Sequence, residues 1–412
     1  MNKNSFKTRF VPRKIEAQLV SFLYDQEVIA LRGPRQSGKS TLLKKVAQKL
    51  KSAKTVFVDF EDELELERFL ASPKEFVNFH LDPKQKTFFF FDEYQYVPKG
   101  GKLLKLLYDS FPQAKFIITG SSTLDLQEIG HYLVGRVVFF DLFPFSFEEF
   151  LRARNKKLYQ EYLQKRFDPH LDSPPHSLFL PELNQALSEY LRFGGYPRIV
   201  LEKEFEKKRI LLKNLFTTYV EKDIIKLYGR NRKHQLISLL RALTGMVGKI
   251  VNYQELAQIT HLSFQELKNC LSLLEETFII KQIRPFRRNL VTELKKSPKF
   301  YFYDSGIFNL LQESLTPQST ITGDLLENYV FTRFKTNLHF WRTTAKAEVD
   351  FVLKQESEII PIEVKLTPRI TRSLLSFIKT YSPTKALIIN LNQTGVVRRK
   401  KTKIIFLPAA LL

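Results

Sequence analysis

Residues 28–40 read Val-Ile-Ala-Leu-Arg-Gly-Pro-Arg-Gln-Ser-Gly-Lys-Ser, an apolar run closed by the octet Gly33-Pro34-Arg35-Gln36-Ser37-Gly38-Lys39-Ser40. The octet fills the GxxxxGK[ST] pattern without a mismatch, and Thr41 with Leu42, Leu43, Val46 and Leu50 continues it at helical spacing. Strand, Gly-rich turn and helix start together aim backbone N–H groups and a helix N-terminus at one anion. The stretch therefore predicts a nucleotide phosphate-binding loop. Lys39 supplies a mobile cation for the β- and γ-phosphates, Ser40 a hydroxyl for Mg²⁺, and residues 33–41 the cradle.

Working outward, Thr55 to Phe60 reads as a β-branched and aromatic strand, which completes a βαβ unit. Thr87-Phe88-Phe89-Phe90-Phe91 has the unbroken apolar character of a central parallel strand covered on both faces, and it ends in Asp92-Glu93. Open α/β sheets place ligands at the carboxyl ends of their strands. Asp92 is thus expected beside the Mg²⁺, and Glu93 is expected to polarise the attacking water. A helix from Lys102 to Tyr108 leads to the strand Lys115 to Thr119. Ser121 or Ser122 behind it is the candidate γ-phosphate sensor, although a Gly-Ser-Ser turn is equally a common strand end. Arg136, ahead of the strand Val137 to Leu142, is either a finger reaching the γ-phosphate of a neighbouring subunit or one half of a surface salt bridge.

A length of 412 residues exceeds one ordinary core and implies two to four domains. The single Cys270 excludes a disulfide framework and a cysteine-based zinc site, and points to a reducing compartment. No apolar run is long enough to cross a bilayer, so a cytoplasmic chain without membrane attachment is expected. Net charge is +22, from 65 Lys and Arg against 43 Asp and Glu. That excess favours a polyanionic partner, with nucleic acid ahead of membrane, unless it is only a generally basic solvated surface. Cations gather at Arg284, Arg287, Arg288, Lys295, Lys296 and Lys299, and again from Arg398 to Lys403.

Beyond residue 150 the pattern changes. Asp172-Ser173-Pro174-Pro175-His176 marks a loop, and helical periodicity resumes around Leu183 to Leu191 and from Phe205 to Tyr228, an all-α lid or connector. Asn252 with Glu255, and Ser263 with Glu266, have capping-box spacing and open two helices. The run Phe278 to Ile283, the Arg287-Arg288 turn and the strand Lys299 to Tyr303 complete the outline of a winged helix-turn-helix. Lys268, Arg284, Arg287 and Arg288 are its candidate DNA contacts, more to backbone than to bases; the alternative is a protein-interaction module. In the last third Asp350 opens a strand and Glu363-Val364-Lys365 ends the next. Strand alternation puts Glu363 and Lys365 on one face, where an antiparallel hairpin brings Asp350 beside them. Asp350, Glu363 and the Val364 carbonyl form a candidate Mg²⁺ site, with Glu327 from an upstream helix and Lys365 orienting water. Alternating charges on a solvated strand face are the bland alternative.

Taken together, these motifs resemble a family of bacterial and archaeal AAA-type ATPases that join a P-loop core to a winged helix and a restriction-endonuclease-like domain of the PD-(D/E)xK group. The resemblance rests on residues 33–40, Phe91-Asp92-Glu93-Tyr94-Gln95 with Val97-Pro98, Thr119 to Ser122, Leu133 to Arg136, Phe145-Ser146-Phe147, Gly194-Gly195-Tyr196-Pro197 and Tyr303-Asp304-Ser305-Gly306. One departure is Lys222 before Asp223, where the family pattern has Arg; Lys keeps the charge and loses the bidentate fork. The resemblance implies an α/β chain with a P-loop core over 1–150, a helical lid over 151–230, a winged helix over 231–305 and a nuclease-like domain over 306–412. It implies ATP and Mg²⁺ as cofactors. The expected partners are duplex or branched DNA, Holliday junctions included, and further copies of the chain, up to a hexamer. The expected activity is ATP-driven remodelling or translocation of DNA. The alternatives are an ATP-gated nuclease and a nucleotide switch acting on a protein partner in signalling or defence.

Overall fold

The computed structural model describes residues 10–50, 53–121, 129–167, 175–220, 232–286, 296–335, 337–355 and 358–412. Ser122, Lys222, Asp223, Arg287, Arg288 and Lys295 lie outside them. The chain divides into two compact units, Met1–Phe145 with Glu276–Phe278, and Ser146–Glu275 with Ile279–Leu412.

The first unit is a five-stranded sheet in the order β2-β3-β4-β1-β5, all parallel, from β1 (Val28–Arg32), β2 (Lys54–Asp59), β3 (Thr87–Asp92), β4 (Ala114–Gly120) and β5 (Val137–Asp141). Helices α1 (Glu16–Ser21), α2 (Lys39–Lys49), α3 (Glu63–Ala71), α4 (Pro73–His80) and α5 (Gly100–Ser110) cover it. The phenylalanine run of β3 shows why the sheet is central. Phe89 and Phe91 pack with Phe69, Val77, Leu104 and Leu107 on one face, while Phe88 and Phe90 pack with Leu42, Leu43 and Val46 of α2 on the other. Period-two alternation delivers successive rings to opposite helix layers, two to each, and each fully buried ring contributes about 1.5–3 kcal/mol. All three strand ends that matter, those of β1, β3 and β4, open on the same edge, with β4 between the other two.

The second unit begins with helices Phe147–Arg154, Lys156–Lys165, Leu180–Phe193, Pro197–Leu201 and Phe205–Tyr219. Helices Lys233–Thr244, Tyr253–Thr260 and Phe264–Glu276 follow, with the hairpin β6 (Ile280–Ile283) and β7 (Lys299–Phe302), antiparallel, and Ile250 bridged to Lys299. Of the two expected capping boxes, Ser263 and Glu266 form one reciprocally, at 2.9 and 3.3 Å. Asn252 caps with its side chain alone. The remainder is a mixed six-stranded sheet, β12-β13-β11-β10-β9-β8. Its strands are β8 (Leu338–Arg342), β9 (Glu348–Lys354), β10 (Ile359–Val364), β11 (Lys385–Asn390), β12 (Gly395–Arg399) and β13 (Thr402–Pro408). Helix Arg372–Tyr381 makes the crossover between the parallel strands β10 and β11 and buries Leu374, Phe377 and Ile378 against Val349, Val352 and Ile388. Helix Gly323–Phe334 buries Tyr329, Val330 and Phe331, and the Phe331 ring stacks on Tyr301 of β7.

Two motifs that are far apart in sequence meet in this unit. Asp304 caps helix Ser305–Leu311 by accepting from Gly306 N and Ile307 N, and its other oxygen accepts from Gly195 N at 2.8 Å. Gly194 has φ +76°, and a Cβ there would lie 2.2 Å from the Asp304 carboxylate. Ser305 and Asn309 donate to the carbonyls of Tyr190, Leu191 and Arg192, the last turn of helix Leu180–Phe193. Helix-terminal carbonyls without intrahelical partners are thereby satisfied by side chains of the next element.

Candidate nucleotide site and the C-terminal carboxylate cluster

The phosphate loop leaves β1 at Gly33, whose position leaves no room for a side chain: a Cβ would lie 2.1 Å from the Leu142 carbonyl oxygen. Gly38, left-handed, opens α2 without any side-chain cap, so the first N–H groups of α2 keep their capacity for an anion. Ser37 Oγ is buried without a hydrogen-bond partner, and Lys39 Nζ folds back on the carbonyls of Gly33 and Pro34 at 3.0 and 3.2 Å. A phosphate chain fits this donor set. Arg35 donates to the Tyr96 hydroxyl, Gln36 is exposed at φ +59°, Ser40 is half-buried and Thr41 exposed at the head of α2. Sequence reasoning missed Arg13. Its buried guanidinium donates to Ser37 O at 2.8 Å and Phe143 O at 2.6 Å and lies over the Phe145 ring, bracing the loop from behind.

Asp92 is 2% exposed at the end of β3, in register beside Thr119 of β4. Thr119 Oγ1 donates to Asp92 Oδ1 at 2.5 Å and accepts from Glu93 N at 2.9 Å. One hydroxyl thus fixes both acidic positions, and it holds Glu93 in a left-handed backbone conformation, φ +53°, that costs a non-glycine residue about 1–2 kcal/mol. Gln95 Nε2 donates to the Glu93 carboxylate and, at 3.3 Å, to Ser121 Oγ. The structure therefore brings Ser121 to the acidic pair through Gln95, while Thr119, quoted in the Thr119 to Ser122 motif but given no role there, touches it directly.

Arg136 lies elsewhere. Val28 N, at the start of β1, donates to Arg136 O, so Arg136 sits at the amino end of the parallel strands and the phosphate loop at their carboxyl end. The five residues of β1 separate them by about 16 Å at ~3.3 Å per residue. The guanidinium pairs with Asp109 of α5 at 2.7 Å, half exposed. It does not reach its own chain's phosphate loop.

In the second unit the β9–β10 hairpin assembles the expected C-terminal residues. Lys365 Nζ lies 2.8 Å from both Asp350 Oδ2 and Glu363 Oε2, Val364 N donates to Asp350 Oδ2, and Thr371 Oγ1 donates to Glu363 Oε1. Glu327 joins from its helix, accepting from the Tyr301 hydroxyl at 2.6 Å. Burial, then the charge of Asp350, pushes the carboxyls of Glu327 and Glu363 upward. Burial opposes the charge of Lys365, but Asp350 and Glu363 overcome it and hold its pKa above the ordinary value. Lys299 corrects the sequence reading. Counted there in a basic surface cluster, it is fully buried, 2.7 Å from Glu348 and 3.7 Å from Glu327, and these acids hold it charged against its burial. Asp350 Oδ2, both Glu363 oxygens and Glu327 Oε1 are thus engaged by protein donors. Among the described residues no group of three or more His, Cys, Asp or Glu is arranged to hold a metal ion.

Of the candidate DNA contacts, Lys268 is exposed with its ammonium over the Phe264 ring, beside Gln265 and Asn269, which bond each other. Arg284 is half-buried, and its carbonyl accepts from Phe340 N of β8. The chain then runs on to Phe286, buried in the core of the six-stranded sheet. Arg284 and Phe286, which lead toward the expected wing turn, are thus paired with Phe340 of β8. Arg398 to Lys401 are exposed at the β12–β13 turn.

A parallel sheet of this order, with its loop, its acidic pair and its bridging threonine on one edge, defines a P-loop nucleoside triphosphatase core. Residues 25–151 match the family described as "AAA domain", and the N-terminal unit is an AAA-type P-loop ATPase core. Residues 184–318 and 319–411 match two families described as domains of unknown function, DUF8612 and DUF4143. An uncharacterized protein of Haemophilus influenzae is 26% identical over 363 residues, 84% of each chain. Another, from Methanocaldococcus jannaschii, is 26% identical over 85% of this chain and 77% of its own. Among solved structures, a Walker-type ATPase of Pyrococcus abyssi aligns with a TM-score of 0.48 and 16% identity, over 74% of this chain and 97% of that one. No helix among the described residues is long and apolar enough to cross a membrane.

Proposed function

We propose that the chain is a Mg²⁺-dependent ATPase that acts as an oligomer and couples hydrolysis to remodelling or translocation of duplex or branched DNA. The observation that carries the ATPase reading is the Thr119 hydroxyl tying Asp92 to Glu93 across from the phosphate loop. Ser40 and Asp92 would hold Mg²⁺, which supplies charge neutralisation on the transferring phosphoryl group. Lys39 leaves the loop carbonyls for the phosphates, and Glu93, released from Gln95, orients the attacking water. The place of Arg136, at the far end of the sheet from its own phosphates, supports a role toward a neighbouring copy. The DNA reading is supported by the charge of +22 and by the exposed cations Lys268, Lys296 and Arg398 to Lys401.

The test is ATPase rate at low salt with single-stranded, duplex and four-way-junction DNA side by side, wild type against Lys39→Ala. Stimulation by duplex or junction, absent in Lys39→Ala, is expected. Turnover that no DNA alters would overturn the DNA-coupled reading and leave a nucleotide switch.

A further inference from the structure

The carboxylate cluster on β9, β10 and helix Gly323–Phe334 matches in residue type a site for a divalent cation, yet it already contains more positive charge than such a site needs. Four carboxylates, those of Glu327, Glu348, Asp350 and Glu363, meet three cationic side chains, Lys299, Lys365 and Arg342. Lys365 belongs to the hairpin pattern itself. Lys299 does not: it enters from β7, with no part of its side chain exposed to solvent.

Four of the six carboxylate oxygens of Asp350, Glu363 and Glu327 are already held by protein donors. Asp350 Oδ2 accepts from a backbone N–H and from Lys365, and Glu363 is held on both oxygens, by Lys365 and Thr371. Glu327 Oε1 accepts from Tyr301 and faces Lys299, and its Oε2 lies against Gly248, where a Cβ would stand only 2.6 Å away. A divalent ion here would compete with two ammonium groups for the same oxygens and, with all four acids ionised, would turn a partly buried cluster with one excess negative charge into one with excess positive charge. Uncompensated buried charge is costly in either sign.

We propose that Lys299 is a built-in counter-cation that takes the place of a divalent metal in this cluster, so that the C-terminal sheet is assembled without one. The domain is then not a metal-dependent nuclease. This inference is independent of the nucleotide site and of the ATPase reading.

The test is titration of the nucleotide-free full chain with Mn²⁺, following the free-ion signal by electron paramagnetic resonance, for wild type, Asp350→Asn, Lys299→Met and the double variant. Wild type and Asp350→Asn are expected to give superimposable curves. Lys299→Met is expected to gain an additional bound Mn²⁺ that the double variant loses, a response that a merely structural lysine would not produce. A Mn²⁺ bound by wild type and lost in Asp350→Asn would overturn the proposal. Should Lys299→Met fail to fold, the comparison of wild type with Asp350→Asn decides alone.

Discussion

Replacing Thr119 by Val keeps the branched shape and removes one oxygen from the centre of the nucleotide site. Two hydrogen bonds go with it, the 2.5 Å donation to Asp92 and the 2.9 Å acceptance from Glu93 N. The first involves a charged group and is worth about 1.5–3 kcal/mol, the second about 1 kcal/mol. Because the hydroxyl also holds Glu93 in its left-handed conformation, most of this loss is expected in the transition state, where the carboxylate must face the water. A sum near 3 kcal/mol corresponds to about a 100-fold fall in kcat at 1.36 kcal/mol per decade. ATP affinity, set by the loop and by Lys39, should stay within about threefold. Steady-state turnover together with calorimetric binding of a non-hydrolysable analogue separates the two quantities. Ser121→Ala is the internal control: its hydroxyl only accepts a 3.3 Å bond from Gln95, so its effect should stay below about 1 kcal/mol, or fivefold. If Thr119→Val turns over within twofold of wild type, or if binding falls and kcat does not, the bridge is not what positions the acidic pair.

Arg136→Ala should cost less than about 1 kcal/mol of stability, since its pair with Asp109 is half exposed, yet abolish turnover with nucleotide affinity retained. Mixing it with Lys39→Ala subunits should restore activity, and failure of the mixture would return Arg136 to a surface salt bridge. Asp304 is raised from 3.8 to about 6, by burial against the opposing pull of the N–H groups of Gly195, Ile307 and Gly306. A carboxyl raised on folding contributes stability that is fully present below about pH 4 and is lost as pH rises through about 6, here about 3 kcal/mol. Glu327 and Glu363 act in the same sense, so the measurement is the difference in urea unfolding between wild type and Asp304→Asn across that window; a difference that does not change with pH would refute the assignment.

The candidate nucleotide site was legible because its parts are local. A Gly-rich octet between strand and helix, and two carboxylates after an apolar strand, announce themselves within a few residues, and the strand polarity of a βαβ unit places both on one edge. Polarity would also have placed Arg136, which precedes β5 and so stands at the opposite edge. The role of Thr119, which stood in a quoted motif, and Arg13 altogether were not legible, since a hydroxyl at a strand end and an arginine ahead of the first helix show no function until the strand order sets them beside Asp92 and Ser37. Lys299 misled for another reason. Its neighbours Lys295 and Lys296 suggested a basic patch, whereas the alternation Lys299-Phe300-Tyr301-Phe302 is a strand buried on both faces, in which a lysine must find an acid.

Residue type alone does not separate chemistry from architecture in this chain; the partners of each carboxylate do. Asp304 spends its oxygens on three backbone N–H groups, from Gly195, Gly306 and Ile307, so the Gly194 to Pro197 and Tyr303 to Gly306 motifs are two halves of one helix-to-helix lock. Such a carboxylate is fixed by the main chain and has no oxygen to offer a substrate. Asp350 shares one oxygen between a backbone N–H and a lysine, and a second lysine lies against its neighbours Glu327 and Glu348, so internal cations offset most of the cluster's negative charge. The Asp92–Glu93 pair differs from both: its side chains are held by hydroxyl and amide groups that rotate, across from a loop whose buried Ser37 hydroxyl has no protein partner. Hydrogen bonds that a ligand can displace, facing donors that still lack an acceptor, are what a site poised for a triphosphate requires, and of these three carboxylate sites only this one has them.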